Sequence, residues 1–545
     1  MSTHVRVEAV VISLKAFHGP RAQVVHDHPS LLLDIPLSGR LGFPDVASAD
    51  DYRNDLYVKL WSGHFFPSPV AAGGSIRARK NGMPINHGNV QVTIEVRRQD
   101  GTIVPDAIFY GGSGEPAVAQ YHSLVFPHCD RPTFGEMLRI SLPVRADDCH
   151  LYLTFRSRGK DRSGGHEAHE LEKPFAFAYL PLIRDSACIK DGSHDLVLYR
   201  VEKNLPPSPH LYFEMPAVAP AAFPAKHFAP LRDRLSLRTY LCSNVHTQDD
   251  TLRALFRWQG NLTNPEIVAS TLRLLAFVDE EEMSKFVTRV LDALFGILVS
   301  DLGERQDGLD DMIFNSITMV LSMSTDRRFP GFTSVLDAYI ARHFDHPASS
   351  FRLLQSMKSV MSRPETTEYR ALLKVWHMVF RFIIRSRELD RARGIGLDAT
   401  FKHIEADFQR QTRGILTDIN VLMESGDKTL IGTQTLAVQH YADILPDLAQ
   451  VFPAQDIAQM VIAFTDTLVN AQGNLAVYKL LLILQVIKIL LDSAESRAIL
   501  VPAILRWVKP HLGYGLSGQN ADEKRVKWME CNRLAVTVSV LDGGD

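Results

Sequence analysis

The chain has 545 residues, more than a single hydrophobic core accommodates, so two or more domains are expected. Hydrophobic residues at 46% and charged residues at 22% are ordinary globular values and argue against disorder. A net charge of −3 excludes a whole-protein cationic field for bulk nucleic-acid binding, while leaving a local basic patch open. Five cysteines (Cys129, Cys149, Cys188, Cys242, Cys531) lie far apart with no Cys-x-x-Cys, the pattern of a reducing compartment and not of a disulfide framework.

Met1 to Ala16 mixes Glu8 and Lys15 with strand-like valines and has no signal-peptide apolar core. From about residue 5 to 203 the apolar residues recur with period two. Asp51 to Asp55 is a turn-rich acidic lead into an alternating strand, Leu56 to Leu60. Val90 to Val96 alternates strictly, is closed by Gln99-Asp100-Gly101, and is followed by a short partner at Thr102 to Val104. Leu138 to Leu142, Leu151 to Phe155, Phe175 to Leu180 and Asp195 to Tyr199 repeat the pattern. Many short strands between Gly, Pro and Asp turns predict an antiparallel β-sandwich with loops collected at its ends.

Residues 204–230 carry Pro206-Pro207-Ser208-Pro209 and Pro216-Ala217-Val218-Ala219-Pro220, and read as a Pro-rich linker. From 231 to 545 the period becomes helical. Phe286, Val290, Leu291, Leu294, Phe295 and Leu298 form one apolar stripe, and Leu372, Val375, Trp376, Val379, Phe380 and Ile383 another. Helical blocks follow one another with little strand signal, which predicts stacked helix pairs, an all-α solenoid. The most apolar segment, Leu480 to Leu491, is bordered or broken by Lys479, Gln485 and Lys488 and falls short of a membrane span, so any membrane contact is expected to be peripheral.

The first half, read in order, resembles DOCK-homology region 1, the C2-like lipid-binding sandwich of the DOCK guanine nucleotide exchange factors. The resemblance is carried by Tyr52 to Val58, Asn89 to Val96, Ile108 to Glu115, Tyr121 to Phe126, Leu151 to Arg158 and Lys190 to Tyr199. It continues through Phe286 to Leu298, Asp326 to Phe329, Tyr339 to Phe344, Arg381 to Arg387 and Tyr441 to Phe452, which are similar to the armadillo-type region that follows. Members of that family usually begin with a Src-homology 3 and helical region that docks an ELMO partner, and end with an exchange domain. Neither is legible here, so the chain reads as a fragment or truncated product covering 1–203 as sandwich, 204–230 as linker and 231–545 as armadillo/HEAT-like solenoid.

What the resemblance implies is a non-catalytic part that binds phosphoinositides through basic loops, without cofactor or metal. It would be cytoplasmic and peripherally recruited to membrane, in a protein that activates a Rho-family GTPase through an exchange domain missing here, with an ELMO-type partner and a homodimer as further expectations. A polyphosphorylated headgroup needs clustered cations on loops above an apolar scaffold. Two loops qualify: one between Leu60 and Val90 with Arg77, Arg79 and Lys80, and one after Phe155 with Arg156, Arg158, Lys160 and Arg162. The second also holds Asp161, Glu167, Glu170 and Glu172, which offset part of its charge.

Other constellations are weaker. Asp50, Asp51, Asp55, Asp147 and Asp148 form no Asp-x-Asp calcium pattern. His166-Glu167-Ala168-His169 is not a helical His-Glu-x-x-His zinc motif. Gly111-Gly112-Ser113-Gly114 lacks the Lys-Ser/Thr end and the helix of a phosphate-binding loop. Arg381 to Arg387 reads as one solvated helix face. The alternative function is a protein-interaction module, in which the solenoid binds a partner and the sandwich is purely structural.

Overall fold

The computed structural model describes residues 15, 17, 21–32, 42–43, 45–66, 89–110, 116–142, 149–158, 174–184, 187–202, 205–218, 226–393, 399–469, 471 and 474–509. They fall into two units, Met1–Gly42 with Asp55–Cys242, and Phe43–Asn54 with Ser243–Asp545. In the first, two short helices, α1 (Arg21–Asp27) and α2 (Pro29–Leu32), precede the strands.

Eleven strands follow: β1 (Asn54–His64), β2 (Val90–Arg98), β3 (Ile108–Phe109), β4 (Gln120–His122), β5 (Thr133–Ser141), β6 (Cys149–Ser157), β7 (Ala176–Pro181), β8 (Ile183–Arg184), β9 (Ala187–Cys188), β10 (Gly192–Arg200) and β11 (Pro230–Ser243). Nine form one antiparallel array in the order β3-β5-β1-β11-β10-β7-β6-β2-β4, and β8 pairs with β9. The array curls so that its ends meet. Ile108 of β3 exchanges backbone hydrogen bonds with Val118, just ahead of β4, at 3.0 and 2.8 Å. The Tyr121 hydroxyl of β4 also donates to Glu136 of β5 at 2.5 Å. The enclosed core is what period two requires: Val58, Leu60, Val92, Ile94, Leu138, Ile140, Leu153, Phe155, Leu196, Leu198, Leu235 and Leu237 all point inward.

The outer face has its own apolar layer. Tyr152, Phe177, Tyr179, Val197 and Tyr199 of β6, β7 and β10 pack under Tyr212, Met215 and Phe228. Tyr212 lies on the short helix α3 (Pro209–Tyr212), where Pro209 sits at a first-turn position that needs no N–H. Its hydroxyl meets His150 Nε2 at 2.8 Å. The Tyr199 hydroxyl donates to the Pro216 carbonyl at 2.7 Å, and Val197 N to the Ala217 carbonyl at 3.0 Å.

The limits read from sequence are therefore corrected. The sandwich does not end at 203, and the described part of 204–230 is a cover over the outer face and not a linker. Nor does the helical region start at 231. Residues 230–243 form a strand between β1 and β10, with Pro230 at its first position, where a missing donor is tolerated.

The second unit holds α4 (Asp250–Phe256), α5 (Pro265–Leu275), α6 (Glu280–Leu298), α7 (Leu302–Arg305), α8 (Leu309–Ser322), α9 (Phe332–Arg342), α10 (Ser349–Met361), α11 (Thr367–Ala392), α12 (Ala399–Glu424), α13 (Ile431–His440), α14 (Leu445–Leu448), α15 (Ala454–Asp466), α16 (Asn474–Leu490) and α17 (Ala494–Val508). Helix starts follow from their caps. Asp279 accepts from Glu281 N and Glu282 N ahead of α6, and Thr366 accepts from Tyr369 N ahead of α11. One row of packed helices runs α6, α8, α11, α13, α16 and a second runs α10, α12, α15, α17. This is the expected solenoid of stacked pairs. Both predicted stripes, on α6 and α11, are buried. Residues 43–54 run along this unit: Ala47 N bonds the Ser284 carbonyl at 3.1 Å, and Asp50 meets Arg342 and His343, each at 3.0 Å.

The basic run on α11 is not a solvated face. Arg387 is 8% exposed and bonds Glu405 at 3.1 Å, with Asp390 at 3.6 Å, while Arg381 bonds Asp337 at 2.6 Å. Among the described residues no helix is long and apolar enough to cross a membrane.

Candidate functional site: the loop end of the sandwich

The two basic loops have neighbouring stems. Arg158, where the second departs, donates its backbone N–H to the Asn89 carbonyl at 2.8 Å, and Asn89, where the first returns, donates Nδ2 to the Arg158 carbonyl at 2.9 Å. Asn89 Oδ1 also accepts from His128 N at 2.9 Å, tying in a third loop. Beneath them Phe155 lies 6.1 Å from Phe65 and 6.4 Å from Phe175, ring centre to ring centre. Phe65 and Phe155 are fully buried, so the stems rest on a rigid apolar floor.

Of the residues singled out from sequence, Arg156 and Arg158 stand at this end. Register places Arg156 opposite Gln91, and both arginines reach across to β2. Arg156 Nη1 donates to Thr93 Oγ1 at 2.7 Å, and Arg158 donates from Nε and Nη2 to Gln91 Oε1 at 2.8 and 2.6 Å. His122 of β4 meets the same Thr93 hydroxyl at 3.0 Å. Its pKa is held below the usual histidine value, first by burial and then by Arg156 and Arg158, against an opposing pull from Glu95. Arg77, Arg79, Lys80, Lys160 and Arg162 lie outside the described residues, as do Asp147, Asp148, the Gly111–Glu115 loop and the His166–Glu170 segment.

Sequence reasoning missed Asn89, Gln91, Thr93 and His122. Their role comes from strand register, and no local motif marks them. Among the described residues no group of three His, Cys, Asp or Glu could hold a metal ion, and Asp55, considered for calcium, faces Arg139 at 3.3 Å. What the described residues of this end offer is two loop stems held together beside cationic strand termini.

Residues 49–251 match the family model described as the C2 domain in Dock180 and Zizimin proteins. Residues 264–540, half of the chain, match the model of the dedicator of cytokinesis (DOCK) TPR region. The chain belongs to the DOCK family. It is 28% identical over 524 residues to dedicator of cytokinesis protein 3 of Mus musculus, covering 92% of this chain and 24% of that protein. Identity to dedicator of cytokinesis protein 4 of Homo sapiens is 25% over 521 residues, again covering 92% of this chain and 25% of the relative. The chain thus spans about a quarter of the length of these curated relatives. The C2 match runs past 203 and takes in β11, in agreement with the sheet order. The helix pairs expected as armadillo-type fall in the stretch that the DOCK family model describes as TPR; both are stacked helix pairs.

Proposed function

We propose that this DOCK-family chain is a non-catalytic recruiting and scaffolding part of an exchange factor for a Rho-family GTPase, in which the C2 sandwich binds phosphoinositides through its basic loops. The observation that carries this is the reciprocal pinning of Asn89 and Arg158, which draws the stems of both basic loops together. Charges from the two loops then add at one headgroup instead of acting separately. In this reading the protein is cytoplasmic and peripherally recruited to membrane. Exchange on the GTPase, an ELMO-type partner and homodimerisation belong to the longer proteins that the chain resembles.

The test is sedimentation with phosphatidylcholine vesicles carrying increasing polyphosphoinositide. Binding is expected to rise with headgroup content and to weaken as salt shortens the Debye length. Charge reversal at Arg79, Lys80 and Lys160 should abolish the polyphosphoinositide dependence; unchanged binding would remove the loops from the site.

A second reading, partner binding by the solenoid, is favoured by a groove of about 610 Å³ between α10 and α12. Leu354 and Phe408 form its floor, and the exposed Phe351 and Ile404 stand on its rim. Substituting Phe351 and Ile404 with serine and measuring partner capture by the intact chain separates this reading from lipid recruitment.

A further inference from the structure

The cover of residues 205–218 follows the outer face of β6, β7 and β10 and meets β10 through Val197. Beyond it, the outward positions of β11 and the adjoining part of β1 have the opposite chemistry. Strand alternation turns Leu235 and Leu237 into the core and leaves Arg232, Arg234 and Arg238 exposed. On β1, Lys59 and Trp61 share this face. The Trp61 ring lies between the Arg238 guanidinium, 3.9 Å from its centroid, and the Lys59 ammonium at 4.9 Å. Across from Lys59 on β5 stands Met137, 47% exposed.

None of these four cations has a carboxylate at ion-pair distance among the described residues. Arg234 spends its hydrogen bonds on the Leu231 and Asp233 carbonyls. Asp195, the acid nearest in register, is exposed on the same face opposite Ser236, diagonal to Arg234 and Arg238 and beyond ion-pair distance of both. The guanidinium and ammonium groups of this face therefore carry charge that no described carboxylate neutralises at contact distance.

We propose that this strand face is a second binding surface, for the plane of an anionic phospholipid membrane, separate from the loops and without headgroup specificity. From Arg232 to Arg238 the charges span ~20 Å of extended strand instead of converging on one point, which suits a surface of many headgroups better than a single small anion. A half-buried tryptophan and an exposed methionine beside these cations match the amphipathic composition of membrane-interface residues. The face also adjoins the loop end. Asp233, between Arg232 and Arg234, accepts from Phe66 N at 2.8 Å, where the first basic loop begins. The inference extends the recruitment reading without requiring the loops to bind.

The test uses the full chain with phosphatidylcholine vesicles containing either phosphatidylserine or a polyphosphoinositide. Arg232→Gln with Arg234→Gln is the main variant, because neither side chain stacks on a ring and the fold should tolerate both changes. Arg238→Gln is the second, with thermal melting as the folding control. Each cation removed should weaken phosphatidylserine binding about fivefold, so about 25-fold for the pair, from roughly 1 kcal/mol per surface cation. A loop variant, Arg79→Glu with Lys80→Glu, should leave phosphatidylserine binding within about twofold and lower only the polyphosphoinositide increment. Wild-type phosphatidylserine binding unaltered in the strand variants, or lost in the loop variant alone, overturns the strand face and leaves the loop reading standing. Loss of the polyphosphoinositide increment in neither variant overturns the loop reading alone.

Discussion

Asn89 and Arg158 hold each other twice, backbone N–H to carbonyl at 2.8 Å and side-chain amide to carbonyl at 2.9 Å. The pair closes the mouths of two loops with one residue from each. Asn89→Ala removes the side-chain bond and the acceptor for His128 N. A loss of about 1–2 kcal/mol in chemical denaturation is expected. Vesicle binding should fall together with stability, whereas Asn89→Asp should restore the His128 contact and much of the stability.

Tyr212 is the keystone of the outer aromatic layer, fully buried against Tyr152, Phe177 and Tyr179, with ring centres 5.1 to 6.0 Å apart. Tyr212→Ala should cost about 3–5 kcal/mol through the cavity it leaves. Tyr212→Phe, which removes the hydroxyl and its hydrogen bonds with His150 and Arg97, should cost about 1 kcal/mol. Equal small losses from both variants, read by urea denaturation, would show that residues 205–218 merely lie against the sheet.

Two buried groups give the two units opposite responses to acid. His150 is pushed down to about 4, by burial and then by Arg97. Between the unfolded value near 6.5 and about 4 the unfolded chain binds the extra proton, so sandwich stability is full above that window and falls as pH drops through it. Asp447 is pushed up to about 6 by burial and by Asp337, despite Arg381, whose Nε lies 3.7 Å from its Oδ2. There the folded state binds the extra proton, so helical-unit stability is greater at acid pH and falls as pH rises from about 4 to 6. Each effect is on the order of 3 kcal/mol. Thermal melts from pH 4 to 7.5 should show both slopes, His150→Gln flattening the first and Asp447→Asn the second.

Arg387 is a buried structural ion, although it also lines the groove between α10 and α12. Arg387→Ala leaves Glu405 and Asp390 facing a buried space, and about 3 kcal/mol should be lost. Arg385→Ala on the same helix, whose Glu388 partner is half-exposed, should cost under about 1 kcal/mol. Equal effects in a denaturation series would contradict the burial pattern on α11.

Much of the architecture was legible because its periods are pure. Val90 to Val96 alternates without interruption and is β2, and the six-residue stripe from Phe286 to Leu298 lies on α6. The limit at 203 failed because prolines mark breaks in regular structure without saying whether the chain leaves the domain. Pro209 and Pro216 punctuate a segment that stays on the sheet, and Leu235, Leu237 and Leu241 resume period two after it. Arg387 misled for a related reason: a helix's charged positions look solvated until the neighbour supplying Glu405 is known. At the loop end, sequence pointed to Arg156 and Arg158 but not to Gln91 and Thr93. Their meeting depends on a pairing between strands some 65 residues apart, which local pattern does not encode.

The place of β11 also governs how the sandwich must be made. Its neighbours are β1 and β10, so it joins three strands on one side to five on the other. A chain ending at residue 203 would hold two open sheet edges, on β1 and β10, its strand sets still joined at the far ends through Ile108 and Val118. During synthesis the first strand must wait roughly 170 residues for its inner neighbour, and this high contact order makes closure slow. Until then the edge of β1 is exposed to other nascent chains. The sandwich is thus completed at its centre, last.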